Sequence, residues 1–344
     1  MKLLVCTQIV DSNDPALGFF VSWIREFALR TEKITVFTLR IGEYELPENV
    51  EVICLRSHKK QGRAKTALRL LWLSWIRKND YDSVFIHMNP EYVVVAGPLW
   101  KVLRKKMVLW YMHKSVTFFL MYAVLFVYSV CTASSESFKY KTNKLRIVGH
   151  GINTELFTEI AKPFQRPPEF ITVGRISSSK GYEFMVDSLA LFPLGKLVVY
   201  GTEASDKDLK YKEKLQHKIE SLDMTARFQF AGAIKHEKLQ EVFLNKSLFF
   251  HASRGTGSLD KAPLESILAG VPVLSTSDAF QAMLSPYGLF VNGSPGDYAA
   301  AAAKFLQKSE DERLEIAGLL REEVMENHSL SKLVPKLVIE LQCR

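Results

Sequence analysis

A stretch near the middle of the chain places two cations beside the end of an apolar run. In Ile171-Thr-Val-Gly-Arg-Ile-Ser-Ser-Ser-Lys180-Gly181, the run ends at Gly174, Arg175 follows, and we predict that Ser179 caps a helix whose first turn holds Lys180. A cation there opposes the helix dipole unless an anion binds. Arg grips phosphate oxygens with a fork of donors, and Lys adds a point charge. The stretch predicts a phosphate site or, alternatively, an exposed lysine with a small dipole cost.

A second anion site is indicated by Arg254-Gly-Thr-Gly-Ser258, which follows the predicted strand Leu248–Ala252. Glycine permits positive φ and lets the backbone approach a ligand closely. The amides of Thr256, Gly257 and Ser258 can therefore face an anion as a nest.

The helix predicted after this turn carries two carboxylates. Pro263 suits its first turn and Gly270 its C-terminal end. Asp260 either caps the helix or contacts a ligand. Glu265 either interacts with the helix N-terminus or binds a vicinal diol, because a carboxylate can accept two hydrogen bonds at once. Together the two stretches predict a pocket for a phosphorylated, hydroxyl-rich ligand.

Short runs rich in Val and Ile alternate with amphipathic segments along the chain. Lys106–His113 and Leu289–Val291 are among the predicted strands, and Gly181–Phe192 and Glu237–Asn245 among the predicted helices. This alternation is typical of parallel sheets covered by helices on both faces. The predicted fold class is therefore α/β, with two doubly wound Rossmann-like domains facing a cleft.

The alternation pauses once, at the proline-containing residues 153–168. We predict a linker there, between an N-terminal domain of residues 1–152 and a C-terminal domain of residues 169–328. Residues 329–344 contain a last helix. In doubly wound sheets, ligands bind outside the carboxyl ends of the strands, so chemistry is expected in the loops that follow strands.

Charge and cysteine usage limit the class of protein. Residues 1–150 hold 22 Lys and Arg against 12 Asp and Glu, whereas residues 151–344 hold 23 against 25. The basic half indicates an anionic partner. Because no nucleic-acid-binding motif is present, a membrane surface or a phosphorylated acceptor is favoured over nucleic acid. Four widely separated cysteines without zinc spacing indicate reduced thiols in a cytoplasmic protein.

Two segments of the basic half bear on membrane contact. Residues 56–65 are basic and precede a helix-like stretch with Trp72 and Trp75. This combination can lie on anionic headgroups, or it can be a solvated loop whose helix packs on the sheet. Residues 115–135 are uncharged and long enough to span a bilayer. Their helix-like first half and β-branched second half favour a buried helix followed by a strand.

Candidate acceptor-binding residues follow the predicted strand Ser83–Met88. His87, Asn89 and Glu91 are expected to face the cleft, where they can bind hydroxyl groups. For Glu91 the alternative is a polar helix start.

The segments GRISSSKG (174–181) and TGSLDKAPLESILAGVPV (256–273) resemble motifs of the retaining glycosyltransferases of glycosyltransferase family 4, which have the GT-B fold. The resemblance extends to TQIVDSNDPALGFF in the first loop, to HMNPEY and WYMHKS in the acceptor domain, and to GHGINTELF before the linker. In this family the last helix packs back on the N-terminal domain.

The resemblance implies a nucleotide-diphosphate sugar as donor, held by the C-terminal domain. Arg175 and Lys180 match the pair that neutralises the diphosphate, and Glu265 matches the second glutamate of Glu-x7-Glu, which holds the ribose. His113 matches a histidine near the donor sugar and acceptor, and Lys114 lies beside it. The remaining donor-binding positions implied are Gly18, Gly174, Gly201, Ile234, Thr256, Gly257 and Ser258.

The family's mechanism retains anomeric configuration by front-face attack, with the leaving diphosphate assisting deprotonation of the acceptor. Cations and amides replace a metal, so the resemblance implies neither metal nor cofactor. From the basic segment 56–65 and the tryptophan-bearing helix that follows it, we further predict peripheral attachment at the cytoplasmic face of a membrane and a glycan or lipid-linked acceptor of cell-envelope synthesis.

The chain departs from the family where the first glutamate of the motif would stand, because this position is Gly257. The resemblance leaves its work of holding sugar hydroxyls to Asp260 or to backbone amides, which makes Asp260 a candidate catalytic residue. Gly257 also motivates an alternative, a silent nucleotide-sugar-binding subunit. A nucleotide-sugar epimerase is a further alternative, although the motifs favour transfer.

Overall fold

The computed structural model describes residues 1–14, 16–56, 61–161, 167–253 and 258–342. The chain divides into two compact units. The first consists of Met1–Asn153 with Asn327–Arg344, and the second of Thr154–Glu326. The described residues of the predicted linker, from Thr154 onward, therefore belong to the second unit.

The first unit contains a seven-stranded parallel sheet in the order β3-β2-β1-β4-β5-β6-β7. Its strands are β1 (Lys2–Val10), β2 (Lys33–Ile41), β3 (Val50–Cys54), β4 (Ser83–His87), β5 (Lys106–Trp110), β6 (Ser129–Thr132) and β7 (Leu145–Ile147). Helices α1 (Phe20–Ala28), α2 (Arg63–Ile76), α3 (Glu91–Val102) and α4 (Phe118–Phe126) connect them. The central strand β4 is buried along its length and β1 is buried from Leu3 to Thr7, which is why their sequences contain apolar runs and not alternating patterns.

The C-terminal helix, Leu330–Gln342, packs against α1, β4 and β5 of the first unit. Its buried residues recur every three to four positions, as expected for one apolar helix face; they are Leu330, Leu333, Val334, Leu337, Val338 and Leu341. The Ser83 hydroxyl donates a hydrogen bond to the Leu341 carbonyl at 2.9 Å. This helix is therefore part of the core of the first unit.

The second unit contains a five-stranded parallel sheet in the order β10-β9-β8-β11-β12. Its strands are β8 (Glu169–Val173), β9 (Lys196–Tyr200), β10 (Phe228–Gly232), β11 (Leu248–His251) and β12 (Val273–Ser275). Its helices are α5 (Tyr182–Leu191), α6 (Asp206–Ser221), α7 (Leu239–Phe243), α8 (Lys261–Leu268), α9 (Gln281–Leu284), α10 (Pro295–Gln307) and α11 (Glu310–His328). Each unit is thus a parallel sheet covered by helices, which confirms the predicted α/β class with two doubly wound Rossmann-like domains.

Some predicted elements differ from those observed. The run Leu289–Val291 forms no strand and only an isolated bridge between Phe290 and Ser275. Strand β5 ends at Trp110, so His113 lies in the loop beyond it. Residues 115–135 contain α4 followed by β6, as predicted, but the prediction that this helix is buried was wrong: Phe118, Phe119 and Leu125 are 70%, 46% and 65% exposed, because only one face of α4 packs on its neighbours. Among the residues that the structure describes, no helix combines the length and apolarity needed to cross a bilayer.

Candidate active site

A cavity of about 200 Å³ lies in the second unit at the carboxyl ends of β8 and β11. This is the edge at which doubly wound sheets bind ligands. Its walls combine three cations, one carboxylate and one histidine with apolar groups. The lining residues are Thr172, Val173, Gly174, Arg175, Lys180, Tyr182, Met185, His251, Asp260, Lys261, Ala262 and Pro263.

Lys180 reaches this cavity from a turn and not from a helix. It ends the 3-10 turn Ser178–Lys180, and α5 begins only at Tyr182, after Gly181 in the left-handed conformation (φ 66°). Ser179 bonds to Ser177, with the two hydroxyl oxygens 2.9 Å apart, and caps no helix. The prediction of a Ser179 cap with Lys180 in the first helical turn was therefore wrong, because the chain makes an extra turn before α5.

Asp260 binds the ammonium group of Lys180. Lys180 Nζ lies 2.6 Å from Asp260 Oδ2, and the same oxygen accepts hydrogen bonds from His251 Nε2 at 2.9 Å and from Ser253 Oγ at 3.1 Å. Burial alone would raise the pKa of Asp260, but the hydrogen bond from His251 and the charge of Lys180 outweigh it. The pKa lies far below its usual range, so the carboxylate is ionised.

Asp260 occupies the N-cap position of α8 but does not cap it. Its side chain makes no hydrogen bond to the first turn of the helix. All of the short contacts to Oδ2 come instead from side chains around the cavity. The structure thus excludes the capping interpretation and makes Asp260 part of the cavity wall.

Arg175 lines the same cavity and is the more exposed of the two predicted diphosphate ligands: its side chain is 56% exposed, against 28% for Lys180. Its Nε lies 4.0 Å from Asp208 Oδ2 at the start of α6. The exposed guanidinium keeps most of its donors toward solvent, where an anion can reach them. The structure therefore brings Arg175 and Lys180 to one cavity.

Glu265 is buried beside the cavity, and its side chain is 3% exposed. Its Oε1 lies 2.7 Å from His236 Nε2 and 2.9 Å from Lys261 Nζ. Burial alone would raise the pKa of Glu265, but Lys261 and His236 outweigh it and lower the pKa to about 2. Glu265 is not among the residues that line the cavity, whereas Lys261 is. Ribose binding by Glu265 stays a prediction. Glu265 is connected to the cavity through Lys261, which pairs with it and lines the cavity wall.

Two glycines let neighbouring loops approach each other at this edge. Gly174 lines the cavity directly after β8, and Gly201 follows β9. A Cβ atom at Gly201 would overlap the Gly174 carbonyl oxygen, so this close approach requires glycine. Ile234 is half-buried in the loop after β10, at the same edge of the sheet. Ligand contacts at these positions stay predictions.

The structure describes only the last residue of the predicted glycine-rich turn, Ser258. Thr256 and Gly257 lie outside the described residues, as does residue 254. Ser258 is half-buried, and its hydroxyl lies 3.5 Å from Asp260 Oδ1. The nest of amides at 256–258 therefore stays a prediction.

In the first unit, the candidate acceptor residues follow β4 and β5. Asn89 is half-buried and accepts a hydrogen bond from Gln8 Nε2 at 2.7 Å. Glu91 is exposed as the first residue of α3, which agrees with the alternative of a polar helix start. His113 is exposed, with Nδ1 accepting from the Ser115 amide at 3.0 Å, and Lys114 beside it is half-buried. Their roles stay predictions.

Gly18 lies in the first unit, in the loop that leads into α1. A Cβ atom there would meet the carbonyl oxygens of Ser12 at 2.6 Å and of Asp14 at 2.7 Å. Close packing of this loop is therefore a structural reason for glycine, and a contact of Gly18 with a ligand stays a prediction.

His87 was wrongly predicted to bind an acceptor, because the structure buries it. It is 2% exposed, stacks on Phe20 with ring centroids 4.0 Å apart, and lies 3.3 Å from the Thr7 hydroxyl through Nδ1. Burial, with the nearby His150, lowers its pKa to about 3, so the ring is neutral at pH 7. Its polar atoms serve the core of the first unit and are not presented to a ligand.

Sequence reasoning did not identify three side chains of this site: His251, Ser253 and Lys261. His251 ends β11, and its Nδ1 lies 2.8 Å from the Ser275 hydroxyl while Nε2 faces Asp260. Its position in the sequence could have identified it, since His251 is a polar residue at the carboxyl end of an apolar strand, where ligands are expected. Lys261 had a similar signal, because it follows Asp260 at the start of α8.

Within the described parts of the chain, no group of three or more His, Cys, Asp or Glu side chains is arranged to hold a metal ion. The cavity presents cations instead, and these attract an anion directly. Metal-independent chemistry stays a prediction.

Comparison with known proteins assigns the part of the chain that contains this cavity. Residues 153–318 match the model of the family described as glycosyl transferases group 1. This portion is therefore similar to the glycosyl transferases group 1 family. No curated protein sequence matches the chain.

Solved structures match over the whole length. HepE of Anabaena, in complex with UDP and glucose, is 15% identical, with 100% of each chain covered and a TM-score of 0.79. Sucrose-phosphate synthase of Thermosynechococcus elongatus is 16% identical, with 99% of each chain covered and a TM-score of 0.79. WaaG, a glycosyltransferase involved in lipopolysaccharide biosynthesis, is 15% identical, with 99% of this chain and 100% of that chain covered and a TM-score of 0.66. The chain thus has the fold of the GT-B glycosyltransferases.

Proposed function

We propose that the protein is a retaining glycosyltransferase of family 4 that transfers a sugar from a nucleotide-diphosphate donor to a glycan or lipid-linked acceptor. The observation that carries this proposal is the convergence of Arg175 and Lys180 on one cavity at the carboxyl edge of the second sheet. The glycosyl transferases group 1 match over residues 153–318 supports it.

In the proposed reaction, the bond between the anomeric carbon and the diphosphate oxygen breaks while an acceptor oxygen bonds to that carbon on the same face. The acceptor proton passes to an oxygen of the departing diphosphate. Lys180 and Arg175 stabilise the charge that develops on this leaving group. Loss of one preorganised donor that faces developing negative charge costs about 3 to 4 kcal/mol of transition-state stabilisation in a well-studied hydrolase, which sets the scale for these two cations. The chemistry requires no metal ion or cofactor.

The test begins with ligand binding. Thermal unfolding is measured with a panel of nucleoside diphosphates that includes UDP, since UDP occupies HepE. A ligand that binds the folded state raises Tm, by an amount that grows with its concentration above Kd. Release of free sugar from the matching nucleotide sugar then reports cleavage of the donor. If no nucleoside diphosphate raises Tm, the proposed donor site is wrong.

A second candidate is a nucleotide-sugar-binding subunit without activity, favoured by Gly257 in place of the motif glutamate. The same two assays, thermal unfolding and donor hydrolysis, distinguish the two candidate functions. A transferase both binds and slowly hydrolyses its donor, whereas a silent subunit shows a Tm rise without hydrolysis.

On the acceptor side, we propose that the first unit attaches peripherally to an anionic membrane surface, on the cytoplasmic face, during cell-envelope polysaccharide or glycolipid synthesis. Helix α2 supports this, because Trp72 and Trp75 are 59% and 49% exposed and Leu68 is 66% exposed. Arg63, Lys65 and Arg69 lie on the same helix. Exposed aromatic residues next to cations are typical of helices that lie in a headgroup layer. Residues 57–60 of the basic segment lie outside the described chain.

A further inference from the structure

The cavity in the second unit contains an anion that belongs to the protein itself. Asp260 is the single carboxylate among the described lining residues, and it lies against the cation that sequence reasoning assigned to the diphosphate. A simple phosphate site would offer only donors and positive charge. The presence of a buried, ionised carboxylate at the same place requires an explanation.

We propose that Asp260 is a resident anion of the phosphate site, which binds Lys180 in the absence of ligand and competes with the incoming diphosphate for it. This inference rests on the proposed function, because it takes a diphosphate as the ligand of the cavity. Asp260 is then a residue that sets affinity, and its charge lowers the affinity for anions.

The contacts around Asp260 support a specific anion position. Three donors converge on a single oxygen, Oδ2, from three different elements: the turn before α5 (Lys180), the end of β11 (His251) and the residues that follow it (Ser253). A phosphate oxygen placed there would find the same donors. A carboxylate oxygen and a phosphate oxygen accept hydrogen bonds from such groups in the same way. Asp260 therefore fills a position suited to a ligand oxygen.

The alternatives for Asp260 are weaker. The N-terminus of α8 does not explain its charge, because its side chain makes no capping hydrogen bond. Asp260 is also not a surface carboxylate whose charge is stabilised by water, since its side chain is only 16% exposed. Among the described residues, Lys180 is the only Lys or Arg in salt-bridge contact with it, and the imidazole of His251 adjoins the same oxygen. Its charge is thus directed at the cation that the ligand needs.

A consequence concerns release of the product. When a nucleoside diphosphate leaves, Lys180 returns to Asp260 and does not remain as an unpaired, half-buried ammonium. The carboxylate therefore lowers the free energy of the ligand-free protein and speeds dissociation of the diphosphate. Without this charge, the diphosphate product is expected to bind more tightly and to inhibit turnover.

The test is binding of inorganic pyrophosphate, followed by isothermal titration calorimetry, to the wild-type chain and to Asp260→Asn. Asn keeps the size of the side chain and removes its charge. We expect the Kd to fall about tenfold, which corresponds to about 1.4 kcal/mol. Asp260→Ser, neutral and smaller, is a second variant in case the amide disturbs folding, which circular dichroism would show.

The matched control is Asp187→Asn. Asp187 on α5 also pairs with a lysine, since its Oδ1 lies 2.6 Å from Lys218 Nζ, but it does not line the cavity. The Kd of this variant for pyrophosphate should stay within about twofold of the wild-type value, because Asp187 contacts none of the cavity cations and its half-exposed pair with Lys218 is screened by solvent and salt.

The outcomes separate this inference from the proposed function. If the wild-type chain binds pyrophosphate and Lys180→Ala does not, while both Asp260 variants bind equally or more weakly, the diphosphate site stands and the resident anion is wrong. If neither the wild-type chain nor any Asp260 variant binds pyrophosphate, both are wrong. Tighter binding by the Asp260 variants, with Asp187→Asn unchanged, supports the inference.

Discussion

Lys261 Nζ lies 2.9 Å from Glu265 Oε1, one helical turn further along α8. The glutamate that sequence reasoning assigned to a ribose is therefore already bound to a lysine and to His236. A ligand that reaches this carboxylate must share it with Lys261. The pair gives the carboxylate a structural role in addition to any role in binding.

The first prediction concerns the stability of this buried pair. Replacing Glu265 by Gln leaves Lys261 without its counter-charge and should lower the free energy of unfolding by about 3 kcal/mol at pH 7. The folded pKa of about 2 lies below the unfolded value, so the wild-type contribution is present above about pH 4.5 and is lost as the pH falls toward 2. Glu265→Gln should lack this acid-dependent loss.

Calorimetric unfolding at a series of pH values measures both effects. Glu237→Gln is the control, since Glu237 is exposed next to His236 and its loss should change stability by less than about 0.5 kcal/mol. A Glu265→Gln variant as stable as the control would show that the pair contributes nothing.

The second prediction concerns the leaving group. Lys180→Ala should lower donor turnover about 100-fold or more, because the departing diphosphate loses a cation that contacts it. The fold should persist, since Lys180 lies in a turn outside α5 and the Asp260 carboxylate keeps its hydrogen bonds from His251 and Ser253. Initial rates of sugar release and a thermal melt check the two claims. Unchanged turnover in a folded variant would remove Lys180 from the mechanism.

The third prediction concerns pH and the first unit. His87 has a folded pKa of about 3, below its unfolded value near 6.5, so protons bind the unfolded state first as the pH falls. The first unit should therefore lose about 1.4 kcal/mol per pH unit from this residue below pH 6.5. His87→Gln should remove that share of the slope.

Tryptophan fluorescence is a selective measurement for this experiment, because every Trp of the chain lies in the first unit. Buried His328, whose pKa is lowered to about 4, should leave part of the slope in place. The control is His217→Gln, whose ring is 83% exposed. An identical slope in His87→Gln and His217→Gln would refute the prediction.

The fourth prediction concerns the junction between α1 and the C-terminal helix. Gly151 has φ 83°, and its carbonyl accepts a hydrogen bond from Trp23 Nε1 at 3.0 Å. A Cβ atom there would lie 2.6 Å from the Trp23 ring and would also overlap Leu333. Gly151→Ala should therefore destabilise the first unit by about 2 to 3 kcal/mol.

Urea denaturation followed by tryptophan fluorescence measures this loss. The matched control is Gly318→Ala inside α11, where a Cβ atom meets nothing within 4 Å. That variant should leave this transition unchanged, because residue 318 lies in the second unit and every Trp lies in the first. Equal stability of the Gly151→Ala variant and the wild-type chain would contradict the packing seen here.

The fifth prediction concerns the exposed face of α2. Replacing Trp72 and Trp75 by Ser should weaken sedimentation with vesicles of anionic phospholipid at least tenfold, because two aromatic anchors are lost. Wild-type binding should fall with added salt. Leu191→Ser, an exposed apolar residue of the second unit, is the control. Absence of salt-sensitive binding by the wild-type chain would end the membrane proposal.

The sequence predicted the two sheets well because apolar strands buried on both faces leave a strong pattern. It also located Gly174, Arg175 and Lys180 at the end of β8, and the structure brings all three to the cavity. What it could not predict was the partner of each charge. Asp260 suited an N-cap as well as a ligand contact, and only the three-dimensional approach of His251 and Ser253 decides between them.

His87 is a case in which sequence predicted a site residue and long-range packing buried it instead. A histidine at the carboxyl end of a strand resembles a site residue in sequence, but its ring stacks on Phe20 of α1, a residue far away in the chain. Burial depends on such long-range packing and not on local pattern. The extra turn before α5 was also missed, because a Ser-rich stretch fits both a helix cap and a 3-10 turn.

The C-terminal helix completes the core of the unit with which the chain begins. During synthesis on a ribosome, the whole second unit emerges before this helix does. Until then, the face of α1 that this helix covers in the folded chain is left exposed to water on the nascent first unit.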